Sequence, residues 1–129
     1  MPGLDPALPM VDRARVGELA QMATPLESHG LLRELLALYR AETVTHVARL
    51  AAAWESGDVK GARSEAHYLA GSSANLGLER LAAGLRELEA QAQDGKLPVY
   101  TRFAETLEAW VREACGAYEE AVAKLARAR

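Results

Sequence analysis

Apolar side chains recur every three or four residues along four long segments of this chain, and this spacing constrains the fold more than any other feature. In the clearest run the spacing alternates strictly between three and four: Leu78, Leu81, Leu85, Leu88 and Ala92. Such a run places one apolar stripe along an α-helix. Similar runs lie between Leu32 and Trp54, between Ala62 and Leu76, and between Phe103 and Ala121. We therefore predict four long amphipathic helices.

Turn and capping residues separate these helices. Gly57 follows the first long helix, and Asp58 is placed to cap the second. Gly77 is placed to end the second, and Asp94 with Gly95 to end the third. Pro98 stands where the first turn of the last helix tolerates a proline. Short connections force neighbouring helices to run antiparallel.

The predicted fold is therefore all-α, an antiparallel up-down-up-down four-helix bundle over residues 30–129. Residues 1–29 are predicted to form an N-terminal extension with a short helix that caps one end of the bundle. Asp12 is the expected N-cap of that helix, with Val16 and Leu19 facing inward.

Composition narrows the class of protein. A chain of 129 residues suits one domain, and isoleucine is absent, which favours helices over sheets. A net charge of −3 without a basic stripe argues against nucleic acid as a partner. The single cysteine, Cys115, cannot form an intramolecular disulfide. The start of the chain lacks the pattern of a secretion signal, and no apolar run reaches the ~18 residues of a membrane span. We expect a cytoplasmic protein with no membrane partner.

His67 is the candidate site for chemistry. It follows a stripe position by one residue, so it points about 100° away from the predicted core. Its neighbours on the same face are Arg63, Ala70, Gly71 and Ala74. We expect an exposed imidazole surrounded mainly by small side chains, which another protein can approach closely. An exposed imidazole is mostly neutral at pH 7 and is then a nucleophile.

The segment His67-Tyr-Leu-Ala-Gly-Ser-Ser-Ala-Asn-Leu-Gly77 resembles the signature of histidine-containing phosphotransfer (HPt) domains, His-x-Leu-Lys-Gly-Ser-Ser-x-x-Leu-Gly. The similarity covers roughly residues 30–125, with the specific motif confined to 63–89. One position departs from the signature, because Ala70 stands where the family usually has a lysine beside the phosphoryl group.

The resemblance implies a phosphorelay intermediate without an ATP site of its own. His67 would accept a phosphoryl group, through Nε2, from an aspartate of a receiver domain and pass it to another response regulator. The implied partners are receiver domains and a hybrid histidine kinase. The chain itself would need no cofactor, since the receiver supplies the Mg²⁺. The resemblance also favours a monomer.

Several alternatives stay open from the sequence. Arg63 either offsets phosphoryl charge in place of the missing lysine or is a solvated surface residue. Gly71 either leaves room for the phosphoryl group and partner or allows close helix packing. The protein as a whole could instead be an adaptor that binds receiver or kinase domains without transfer, or a bundle that dimerises through alanine-rich faces. His46 is predicted to be a boundary residue, and three scattered histidines with one cysteine do not make a metal site.

Overall fold

A computed structural model describes residues 1, 3–24 and 27–127, and within them the chain forms helices and no strand. The five helices are α1 (Arg13–Ala20), α2 (Ser28–Glu55), α3 (Val59–Leu76), α4 (Glu79–Gln93) and α5 (Phe103–Arg127). The prediction of an all-α fold with four long helices and a short N-terminal helix is confirmed.

The helix ends follow the predicted capping residues. The Asp12 carboxylate accepts hydrogen bonds from the backbone N–H groups of Ala14 and Arg15, at 3.0 and 3.3 Å. The Asp58 carboxylate accepts one from the N–H of Gly61, at 2.9 Å. Gly77 ends α3 with a φ of 96°, a left-handed conformation that a side chain strongly disfavours.

Contacts between side chains show that α2 and α3 run antiparallel. Tyr39 and Ser73 share a buried hydrogen bond of 2.8 Å between their hydroxyls. Further along α2, His46 contacts Glu65, which lies earlier on α3. Near the end of α2, the ring of Trp54 lies 5.0 Å from that of Phe103 at the start of α5.

The connection between α4 and α5, residues 94–102, is longer than predicted. Pro98 lies inside this connection, so its placement in the first turn of the last helix was wrong. Its carbonyl oxygen accepts a hydrogen bond from the indole Nε1–H of Trp54, at 2.8 Å. Tyr100 packs against Trp54 and donates a hydrogen bond to Gln91 on α4. The connection therefore covers the end of the core rather than making a simple turn.

Leucines and aromatic residues from all the long helices fill the core. The largest side chains that are almost fully buried include Leu32, Leu50, Leu69, Leu81, Leu88, Phe103, Leu107 and Tyr118. Burying a leucine or phenylalanine side chain stabilises a fold by roughly 1.5–3 kcal/mol. Gly84 allows α4 to lie close to Trp110, because a Cβ there would sit 3.3 Å from the indole ring and would collide with Leu4.

The N-terminal segment is fastened to the junction of α3 and α4. The backbone N–H of Asp12 donates to the carbonyl of Gly77 at 2.7 Å, and Arg15 Nε donates to the carbonyl of Asn75 at 2.8 Å. Arg80, at the start of α4, donates to the carbonyl of Leu8 at 2.7 Å. These bonds hold the carboxyl end of α3, the helix that carries His67. Among the described residues, no helix combines the length and apolar character needed to cross a bilayer.

Candidate functional site

His67 projects from the exposed face of α3, with 77% of its side chain accessible to solvent. The opposite face of α3 is buried against the bundle through Ala62, Ala66, Leu69, Ser73 and Leu76. The backbone at His67 is held in place because it lies within the 18-residue helix α3, whose carboxyl end is hydrogen-bonded to the N-terminal segment. The imidazole is therefore carried on a fixed support and is open to a visiting protein.

Glu89 on α4 holds one nitrogen of this imidazole. The distance from His67 Nδ1 to Glu89 Oε2 is 2.8 Å, and 23% of the Glu89 side chain is exposed. An ionised carboxylate can only accept hydrogen bonds, so Nδ1 carries the proton. In the neutral ring, Nε2 then bears the free lone pair and is the nucleophilic nitrogen.

The four predicted neighbours of His67 do not share one environment. Arg63 and Gly71 are exposed, as expected, and Ala74 is half-buried. Ala70 is only 3% exposed, so its predicted position on the open face was wrong. The reason is rotational: residue 70 lies about 60° around α3 from His67, on the flank against which α4 packs.

Gly71 lies in open space. A Cβ built on it would meet nothing within 4 Å, and its backbone does not have a positive φ. Neither helix packing nor backbone conformation therefore requires a glycine here, and the close-packing interpretation is wrong. Since glycine inside a helix costs about 1 kcal/mol relative to alanine, a need for room beside His67 is the interpretation that remains.

A second histidine–carboxylate pair lies on the other flank of α3, toward α2. His46 Nδ1 lies 2.6 Å from Glu65 Oε2, and the His46 ring stacks on Tyr68 with centroids 3.9 Å apart. The Tyr68 hydroxyl donates to Glu42 at 2.7 Å, and this hydrogen bond raises the pKa of Tyr68. His46 lies at the boundary of the core, as predicted, and its pair with Glu65 links α2 to α3.

The two serines of the motif serve the fold. Ser72 Oγ donates to the carbonyl of Leu69, 3.2 Å away on the preceding turn. Ser73 is fully buried, and its hydroxyl shares a hydrogen bond with the hydroxyl of Tyr39. Neither serine is placed to react.

Glu89 is the site residue that the sequence analysis missed. One signal was available: α3 and α4 meet at a tight turn around Gly77, and His67 and Glu89 lie at nearly equal distances along the chain from that turn. In an antiparallel pair such positions lie side by side. Across residues 1, 3–24 and 27–127, no three His, Cys, Asp or Glu side chains converge to hold a metal ion.

Comparison with known proteins gives two matches. A family model described as "Hpt domain" matches residues 34–126 of this chain. Among solved structures, histidine-containing phosphotransfer protein B (HptB) from Pseudomonas aeruginosa PAO1 superimposes with a TM-score of 0.73 at 24% identity. The match covers 90% of this chain and 96% of that one, which shows a shared fold. No curated protein matches the sequence.

Proposed function

Because this chain belongs to the Hpt domain family, we propose that His67 takes a phosphoryl group from the aspartyl phosphate of one receiver domain and passes it to the aspartate of another response regulator. The observation that carries this proposal is the exposed imidazole whose Nδ1 is held by Glu89 at 2.8 Å, which leaves Nε2 as the nucleophile. A hybrid histidine kinase is the proposed source upstream.

The transfer step follows from this geometry. Nε2 attacks the phosphorus of the aspartyl phosphate, and the bond between phosphorus and the aspartate oxygen breaks. The oxygen leaves with the electron pair as a carboxylate, and His67 becomes a phosphorylated imidazolium that keeps its Nδ1 proton. Glu89 lies opposite the positive charge that forms on the ring. In the onward transfer the bond between Nε2 and phosphorus breaks, and the ring returns to its neutral form.

The bundle contributes mainly position to this reaction. Phosphoryl transfer needs in-line alignment and charge stabilisation rather than covalent chemistry by the carrier. The chain would act as a phosphocarrier, with the receiver supplying its own Mg²⁺ and no ATP site needed here.

We place the docking surface on the exposed sides of α3 and α2 around His67. Gly71 gives this surface a shallow centre, and Tyr68 and Leu38 add exposed apolar area. Charged side chains such as Glu42 and Arg49 surround that centre. An apolar centre with a polar rim is the usual arrangement of a protein–protein interface.

The test is transfer of label from a receiver domain that has been phosphorylated with radioactive acetyl phosphate and Mg²⁺. We expect acid-labile, base-stable label on the wild-type chain and none on His67→Gln. His46→Gln is the matched control, because His46 is also paired with a carboxylate, and it should keep its label. A second, unlabelled receiver should then remove the label from the chain.

Two results would contradict this proposal. Binding of the phosphorylated receiver without any label on the chain would favour the adaptor function. Label that persists in His67→Gln would place the acceptor elsewhere. We also propose that the protein is a cytoplasmic monomer, for which light scattering should give a mass near 13.9 kDa.

A further inference from the structure

Phosphorylation would concentrate negative charge at His67. A protein-bound phosphoryl group carries about −1.5 to −2 charges at pH 7. It would join the Glu89 carboxylate, whose Oε2 is already 2.8 Å from the ring. With Ala70 buried and uncharged, the segment His67–Gly77 supplies no lysine or arginine next to this group. If His67 is the phosphoryl acceptor, as the proposed function requires, another residue has to balance this charge.

Two exposed arginines are close enough along the helices to be candidates: Arg63 on α3 and Arg86 on α4. Neither has an ion-pair partner within the described part of the chain, so both guanidinium groups are available. They lie on opposite sides of His67 along the axis of α3. The side of His67 on which the phosphoryl group sits therefore decides which of the two arginines can contact it.

The open side of His67 is the one toward the end of α3. Gly71 and Ala74 follow His67 there, and neither has a side chain longer than a methyl group. On the other side, one turn earlier, stands the long side chain of Arg63. Space for a phosphoryl group and for an approaching receiver is therefore greatest over Gly71 and Ala74.

Arg86 borders this open side. It precedes Glu89 by three residues, and Ala70 follows His67 by three. Because α3 and α4 run in opposite directions and His67 contacts Glu89, residue 86 lies across from residue 70. The axial offset from His67 is only about 4.5 Å, at 1.5 Å per residue.

Arg86 also lies on the side of α4 that borders His67. Arg86 lies about 60° around α4 from Glu89, which contacts α3. The residues of α4 that face α5 and its preceding connection are Gly84, beside Trp110, and Gln91, which accepts from Tyr100. Arg86 is turned away from both of these, onto the edge that adjoins the open side of His67.

We propose that Arg86 contacts the phosphoryl group carried by His67 and supplies the cation that balances it. A guanidinium group can bind two phosphoryl oxygens at once, an arrangement stronger than a single contact between neutral groups. Arg86 on α4 would thus supply the positive charge that the lysine of the signature, at the position of Ala70, would otherwise supply from α3. Arg63 is then a solvated surface residue.

The test uses phosphoramidate, which phosphorylates histidine directly, so that receiver docking does not enter. The half-life of the phosphorylated chain is followed by intact mass at pH 7.5 and low salt. We expect Arg86→Ala to shorten this half-life about three- to tenfold, as loss of a charge-assisted contact implies, and Arg86→Lys to shorten it less. Arg112→Ala, which removes an exposed arginine from α5, is the control and should leave the half-life unchanged.

A ³¹P NMR titration gives a readout that a purely structural role would not move. Loss of a cation at the phosphoryl oxygens should raise the midpoint of their titration in Arg86→Ala and leave it unchanged in Arg112→Ala. An Arg86→Ala half-life and midpoint equal to those of the wild type would overturn the proposal, as would Arg63→Ala carrying the loss instead. Failure of a phosphorylated receiver to label His67 in the wild-type chain would refute the proposed function instead, and it is distinguishable because the phosphoramidate experiment needs no receiver.

Discussion

Replacing Glu89 tests whether the carboxylate on α4 contributes to transfer. Glu89→Ala removes both the hydrogen bond to Nδ1 and the negative charge opposite the ring. Glu89→Gln removes only the charge, since the amide oxygen can still accept the Nδ1 proton. We expect the alanine variant to accept phosphoryl groups more slowly than the glutamine variant, and both more slowly than the wild type.

The size of the effect follows from the exposure of the pair. A hydrogen bond to a charged group is worth about 1.5–3 kcal/mol, whereas an exposed ion pair is worth about 0.2–1 kcal/mol. The pair combines a His67 that is 77% exposed with a Glu89 that is 23% exposed, so solvent screens it substantially. We estimate about 1 kcal/mol, which corresponds to about a fivefold loss of rate for Glu89→Ala.

The assay is quenched-flow measurement of label transfer from a phosphorylated receiver, together with ¹⁵N NMR of the imidazole to identify which nitrogen is protonated. Glu65→Ala is the matched control, because Glu65 holds His46 in the same way on the opposite flank of α3. It should leave the transfer rate unchanged. A Glu89→Ala variant with the wild-type rate and the wild-type protonation of the ring would refute the role given to this carboxylate.

Three further predictions concern stability. Gly71→Ala should raise the free energy of unfolding by about 1 kcal/mol in urea denaturation, because the added Cβ meets no other atom. The same variant should transfer label more slowly. A transfer rate equal to that of the wild type would show that the partner does not need the space beside His67. Gly77→Ala should lower the same free energy by about 1–2 kcal/mol, since its φ is 96° and its Cβ would lie 3.2 Å from the Asp12 carbonyl; unchanged stability would contradict this. Burial raises the pKa of Tyr39 and Tyr118 from 10.0 to about 12, so the unfolded chain loses these phenolic protons first. Their contribution to the free energy of unfolding should therefore be full below pH 10 and fall as the pH rises toward 12. Tyr118→Phe should make that fall less steep in urea titrations. An equally steep fall in the variant would show that ionisation of Tyr118 does not cause it.

The position and ends of the helices could be predicted because their causes are local. The three-and-four spacing, the caps at Asp12 and Asp58, and the terminator Gly77 all act within a few residues of themselves. The exposure of His67 follows from the same spacing, since a helix face that is not apolar faces solvent. The connection at residues 94–102 was harder, because Pro98 is compatible with both a first turn and a loop. Packing against Trp54 selected the loop.

The surroundings of His67 depend on how α3 and α4 are rotated and aligned against each other. The apolar stripe of α3 shows which side is buried but not how far the neighbouring helix extends around it, so Ala70 was placed on the open face although α4 covers it. The approach of Glu89 to Nδ1 depends likewise on the register of the two helices at their turn. By itself the sequence determined an exposed histidine on a helix of a bundle, because helical periodicity is a local property. Only the tertiary structure decided which side chains meet that histidine, because the packing of two helices is set by the side chains of both.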